Sequence, residues 1–168
     1  GVCVLKMAIS KGHLKSMLEY GDWLYCGYKI EIDKIEGLRY IKMAADAGYV
    51  EAMCIYAIKQ CYSEITPNSK KEAARYFKMA IDNGDFYSIY HYAKMLIDGD
   101  GIKQDLKEAI RLLKIAVADD QGLSIDYLGD LYYKGIGVPT DKKEAARLYR
   151  MNVEKKNSDS IYKLACML

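Results

Sequence analysis

The chain offers few residues able to make or break a bond: two histidines, five cysteines and two glycine-rich stretches. His13 and His91 could act as general bases, because imidazole titrates near neutral pH. Neither stands at a spacing that implies a Ser/His/Asp or Cys/His set, and a lone helical histidine is far more often a surface or packing residue. The cysteines, Cys3, Cys26, Cys54, Cys61 and Cys166, are odd in number and lack metal-ligand spacing. They are read as buried or half-buried thiols of a reducing compartment, not as a disulfide framework. Gly99-Asp100-Gly101-Ile102 and Gly135-Ile136-Gly137-Val138 could cradle a phosphate, but that use needs a preceding strand, and the surrounding pattern is helical. They are read as turns. No catalytic residue, metal ligand or cofactor site is expected, and the chain is not expected to be an enzyme.

Composition narrows the partners. The 25 basic and 23 acidic residues nearly balance, so nothing global points to nucleic acid or a membrane surface. The longest uncharged runs fall short of the roughly 20 residues that span a bilayer, and no signal-peptide pattern is present, so no membrane insertion is expected. An intracellular, cytoplasmic site is expected, with the endoplasmic-reticulum lumen left open. The chain opens at Gly1 in an apolar helical pattern without an initiator Met, so an upstream segment could have been removed.

The elements that must position any binding residue follow from an internal repeat. Lys6-Met7-Ala8 recurs as Lys42-Met43-Ala44, Lys78-Met79-Ala80, Lys114-Ile115-Ala116 and Arg150-Met151-Asn152, each step being 36 residues. The same step carries Gly21 to Ala57, Ala93, Gly129 and Ala165, small residues throughout. The register divides the chain into full units 15–50, 51–86, 87–122 and 123–158, with 1–14 as the second helix of a preceding unit and 159–168 as the first helix of a further one.

Each unit reads as two helices, A then B. Asp33, Ser69, Asp105 and Asp141 each stand three residues before a Glu, which is the signature of a capping box opening helix B. Helix B runs toward Gly48 or Gly84, where Gly takes the left-handed C-terminal position; Asp120 and Lys156 replace it later. Helix A runs from about Ser16 to Cys26 and stops at Gly27, Gly99 and Gly135, with Ser63 the exception. At 100° per residue, Met17, Tyr20, Gly21, Leu24 and Tyr28 share one face of helix A. Gly37, Tyr40, Ile41 and Ala44, then Ala73, Tyr76, Phe77 and Ala80, share one face of helix B. No unit can bury such a face alone. The units must stack, which predicts an all-α, right-handed α-solenoid of 36-residue helix-turn-helix repeats. Leu164, Met167 and Leu168 would lie on an open apolar face, implying a longer array or self-association through uncapped ends.

Leu128-Gly129, Tyr132, Gly135-Ile136-Gly137-Val138, Asp141, Lys143-Glu144-Ala145 and Tyr149 together follow the pattern of the Sel-one-like repeat, and in them the chain resembles that family, a relative of the tetratricopeptide repeat. The resemblance implies an adaptor, since such proteins serve in signalling, endoplasmic-reticulum quality control and bacterial host interaction, some with a kinase or other domain elsewhere. The secreted branch of the family staples each repeat with a cysteine pair, a pattern this chain lacks.

The candidate partner face is the side of helix A opposite the core, at positions 15, 19, 22 and 26 of each unit. Its contents change while the frame stays constant. Lys15, Glu19, Asp22 and Cys26 give way to Glu51, Ile55, Ile58 and Tyr62, then Tyr87, His91, Lys94 and Asp98, then Leu123, Tyr127, Asp130 and Lys134. Ile55, Ile58, Tyr62, Tyr87, His91, Lys94, Tyr127 and Asp130 are the expected partner-binding residues, for a protein or peptide held on a concave face. The competing reading is that neighbouring A helices bury this cluster against each other. A basic stripe on helix B (Lys71, Arg75, Lys78; Lys107, Arg111, Lys114; Lys143, Arg147, Arg150) is read as solvated and locally ion-paired, with an acidic partner or polyanion as the alternative. The alternative to a free-standing scaffold is the regulatory region of a larger enzyme such as a kinase, with catalysis outside these residues.

Overall fold

Helix starts and stops fall where the capping chemistry puts them. The computed structural model describes residues 2–62, 68–155 and 157–167, and contains α1 (Val2–Ser10), α2 (Leu14–Cys26), α3 (Lys34–Asp46), α4 (Val50–Cys61), α5 (Ser69–Asp82), α6 (Tyr87–Asp98), α7 (Leu106–Ala118), α8 (Gly122–Lys134), α9 (Lys142–Val153) and α10 (Ser158–Ala165). Even-numbered helices are A helices and odd-numbered ones B helices. No strand occurs among the described residues. Ser63, Lys156 and Leu168 lie outside them.

The side chains of Asp33, Asp105 and Asp141 accept hydrogen bonds from the backbone N–H groups of Glu36, Glu108 and Glu144 at 2.9–3.0 Å, closing the first turns of α3, α7 and α9. Ser69 departs from this pattern. It is the first residue of α5 and is buried, while Asn68 holds the N-cap place in a left-handed conformation with φ 61°. Asn tolerates that conformation, so the helix begins one residue earlier than in the other units. At the far ends, Gly48 and Gly84 take φ 91° and 88°, and Asp120 holds the equivalent place at φ 65°.

The chain divides into two compact units, Gly1–Asp85 and Phe86–Leu168. In the first, α1 to α5 pack each on the next, and the core is Leu18, Leu24, Leu38, Ile41, Tyr56, Tyr76 and Phe77 with interleaved alanines. In the second, α6 to α10 pack likewise, α6 also reaches α8, and Ile89, Leu113, Ile125, Leu128 and Leu148 are fully or almost fully buried. The expected helix B face is buried at Gly37, Ile41, Ala44, Ala73, Tyr76, Phe77 and Ala80, with Tyr40 half-buried. Helix A differs in two places. Met17 is only half-buried, and Tyr28 is 55% exposed, because Gly27 ends α2 at φ 75° and the helical angle no longer applies to the next residue.

The tightest seam joins α2 to α3. A Cβ placed on Gly21 would lie 2.7 Å from the Gly37 carbonyl oxygen, and one on Gly37 would lie 2.7 Å from that of Gly21. Both obstacles are backbone atoms of the opposing helix and cannot rotate away. None of the five cysteines forms a disulfide; Cys54 is buried and Cys61 half-buried, but Cys3, Cys26 and Cys166 are exposed, against the expectation of buried thiols.

Candidate protein-interaction faces

The outer faces of the A helices are built differently in the two units. In the first, α4 carries Ile55 and Ile58 half-buried, and Tyr62, the C-cap residue just past the helix, 76% exposed. Between them, Lys59 reaches across to α2. Its ammonium lies 2.8 Å from the Asp22 carboxylate and 4.1 Å from the centroid of the Tyr25 ring. Neighbouring A helices thus do meet on this side, through Lys59, Asp22 and Tyr25.

In the second unit an aromatic chain runs from α6 to α8. Tyr87 and Tyr90 both stand edge-on to His91, at 5.5 and 5.0 Å between ring centroids, and Tyr90 stands edge-on to Tyr127 at 5.4 Å. Offset and edge-on ring pairs of this kind are the favoured arrangement, because ring edges are positive and faces negative. Tyr87 is exposed and His91 and Tyr127 half-buried. Burial, with the carboxylates of Asp98 and Asp130 nearby, pushes the Tyr127 hydroxyl up to about 12, so it stays neutral and able to donate a hydrogen bond at physiological pH.

Lys94 is exposed on the same helix as Tyr87 and His91. Asp130 is also engaged within the chain. One carboxylate oxygen accepts a hydrogen bond from the Tyr149 hydroxyl at 2.7 Å, and the other takes Lys163 at 2.9 Å. It ties α8 to α9 and α10 and is only 27% exposed. Sequence position missed this because both partners are remote in the chain. It also missed Tyr90, the ring that joins His91 to Tyr127, which sits one step off the positions counted as the outer face.

Part of the basic stripe is answered from within: Arg111, Arg147 and Lys78 each pair with a carboxylate of their own helix. Arg111 and Arg147 each grip the Glu three residues earlier through two parallel hydrogen bonds of 2.7–2.8 Å, and Arg39 grips Glu36 likewise at 2.5 and 2.7 Å. The arginine forks hold Glu36 and Glu144 below the usual carboxylate range. In the remaining unit Glu72 pairs instead with Lys42 at 2.5 Å, and Arg75 lies over the Tyr76 ring. Among the described residues no group of three His, Cys, Asp or Glu side chains is placed to hold a metal, and no helix is long and apolar enough to cross a membrane.

With the helices and their seams in place, the family follows from comparison. The Sel1 repeat model matches residues 14–49, 50–85, 87–120 and 124–151. This chain belongs to the Sel1 repeat family. Among solved structures, it is similar to a protective antigen present in uropathogenic Escherichia coli strains displaying an SLR fold, at a TM-score of 0.91 and 24% identity, covering 99% of this chain and 36% of that one. It is also similar to a Sel1 repeat protein from Oxalobacter formigenes, at a TM-score of 0.85 and 21% identity, covering 94% of this chain and 65% of that one. A third likeness is to Helicobacter pylori cysteine rich protein B, at a TM-score of 0.61 and 18% identity, covering 76% of this chain and 96% of that one. A search of curated proteins returns no match. The chain spans about a third of the length of the first of these structures and just under two thirds of the second. The fold is the all-α solenoid of Sel1-like repeats, whose members are in general non-catalytic scaffolds for protein interactions.

Proposed function

We propose that this Sel1 repeat chain is an adaptor that holds a protein or peptide on the outer faces of its A helices. Within the first unit, taken by itself, that face is Ile55, Ile58 and Tyr62; within the second it is Tyr87, His91, Lys94, Tyr127 and Asp130, the last also holding Tyr149 and Lys163 of α10. The observation that carries the proposal is the aromatic chain from Tyr87 through His91 and Tyr90 to Tyr127. The helical frame buries its small and aliphatic residues elsewhere, so this face is not needed apolar for folding, yet its rings are already packed and partly exposed. Rings fixed before binding lose little conformational freedom when a partner arrives, which is how aromatic anchors come to dominate interface energy.

The test is affinity capture followed by mass spectrometry with the intact chain and with the Ile58→Ser/Tyr62→Ser variant, beside circular dichroism of both. Partners lost by the variant at unchanged helicity support the proposal. Partners retained equally by both overturn the first-unit patch, and loss of helicity assigns Ile58 to the core instead.

A further inference from the structure

The loop between α2 and α3 shares its backbone frame with later loops but not its surface. In three units the N-cap Asp donates its N–H to a helix A carbonyl at 2.9 Å: Asp33 to Leu24, Asp105 to Leu96 and Asp141 to Tyr132. The frame is therefore a built-in control for the side chains it carries. Ile35 is 70% exposed where the other units place Lys71, Lys107 and Lys143, and Ile32 is 60% exposed where they place Asn68, Gln104 and Thr140. Beside them is the exposed Tyr28, edge-on to Trp23.

A second departure accompanies the first. Lys29 holds a left-handed conformation at φ 63°, in the place that Gly101 and Gly137 fill in the later units. A long side chain there costs backbone strain that glycine avoids, and strain retained in a fixed frame marks functional positions. The strained residue sets its ammonium over the rings of both Trp23 and Tyr28, at 5.1 and 4.7 Å from their centroids. Lys34, also exposed, flanks the other side over Tyr25. The acidic residues around the loop are less available. Asp33 is bonded to the α3 backbone and Glu36 is held by Arg39, which leaves Glu31.

We propose that this loop is a second docking surface, independent of the A-helix faces, for an acidic segment of a partner protein. Apolar side chains of that segment pack on Tyr28, Ile32 and Ile35, and its carboxylates pair with Lys29 and Lys34. A lipid surface fits less well, because burying Ile32 in a bilayer carries Glu31 and Asp33 into the headgroup layer, whereas a protein can meet each carboxylate singly.

A phage-displayed library of linear peptides, panned on the 168-residue chain, tests this. Each selected peptide is then titrated against the Ile32→Gln/Ile35→Lys and Lys29→Gly/Lys34→Ser variants by following Trp23, the single tryptophan. The substituted residues Gln, Lys and Gly are those the frame carries in other units, so both variants are expected to keep wild-type circular dichroism and at least the wild-type Tm, Lys29→Gly raising it by relieving the left-handed strain. Expected are peptides combining Asp or Glu with large apolar residues, which bind the isoleucine variant at least about tenfold more weakly, a typical hot-spot loss. They are also expected to lose their preference for acidic residues on the lysine variant. Peptides that bind wild type and both variants alike, or that respond only to Ile58→Ser/Tyr62→Ser, overturn the proposal. So does a Trp23 emission shift on phosphatidylserine-containing vesicles that the isoleucine variant abolishes.

Discussion

The α2–α3 hairpin and the α4–α5 hairpin are built on one frame but closed differently. The first meets through Gly21 and Gly37, each with a backbone carbonyl where a Cβ would stand; the second meets through Ala57 and Ala73, both fully buried. The two helices of the first hairpin therefore lie closer at that level than a pair of alanines would allow. The period specifies small residues at the seam, but the choice between hydrogen and methyl sets the distance, and substitutions that are harmless in one unit are damaging in the other.

Breaking that difference gives the largest expected effect. Gly37→Ala forces the two backbones apart and should lower stability by about 2–3 kcal/mol, as overpacking does in a rigid core. The converse Ala73→Gly should cost only about 1 kcal/mol, the ordinary helix penalty of glycine. Chemical denaturation midpoints of the two variants check both, and equal losses would refute the close seam.

Next comes alkaline pH, which reads the buried tyrosines of each unit separately. Tyr76 donates to Asp46 and is fully buried, and desolvation pushes its hydroxyl from 10.0 up to about 12, as burial does for Tyr127 in the other unit. A folded pKa above the unfolded one means that stability is intact below pH 10 and is lost as pH rises through about 12. The loss should approach about 2 kcal/mol per tyrosine, on the linkage between pKa and stability. Tyr127→Phe should flatten the pH dependence of denaturation in this window, and an unchanged curve would deny the burial of that hydroxyl.

Two smaller effects sharpen the comparison of caps. Asp120 holds the left-handed place that Gly48 and Gly84 fill, so Asp120→Gly should raise stability by about 0.5 kcal/mol, after subtracting its exposed pairing with Lys155. A rise in Tm checks it. Glu144→Gln, which opens the Arg147 fork on the exposed side of α9, should cost no more than about 0.5 kcal/mol and shrink further at high salt.

The fold was legible because every unit repeats its caps and small residues at one step, and those signals are local. What was not legible depended on breaks in locality. A helical angle puts Tyr28 in the core only when it is extended past Gly27, and the column of Asp residues puts Ser69 outside α5, where it is in fact the first helical residue. The ties of Asp130 to α9 and α10 are not legible, since neither Tyr149 nor Lys163 can be paired to it from sequence. The α2–α3 loop did carry a signal in the sequence: Ile35 stands in a column of lysines. A period specifies what recurs, so the departure at Ile35 gains its meaning only from the exposure of that side chain in the fold.

The packing order within each unit has a kinetic consequence. Helices pack chiefly on those next to them in sequence, and the further reaches, from α2 to α4 through Asp22 and Lys59, from α6 to α8, and from α8 to α10 through Asp130 and Lys163, skip a single helix. Contacts of such short sequence separation require little loop closure before they form, and domains built from them fold in microseconds to milliseconds. A hairpin leaving the ribosome can bury its seam as soon as its own two helices are out, before the residues of later repeats are made.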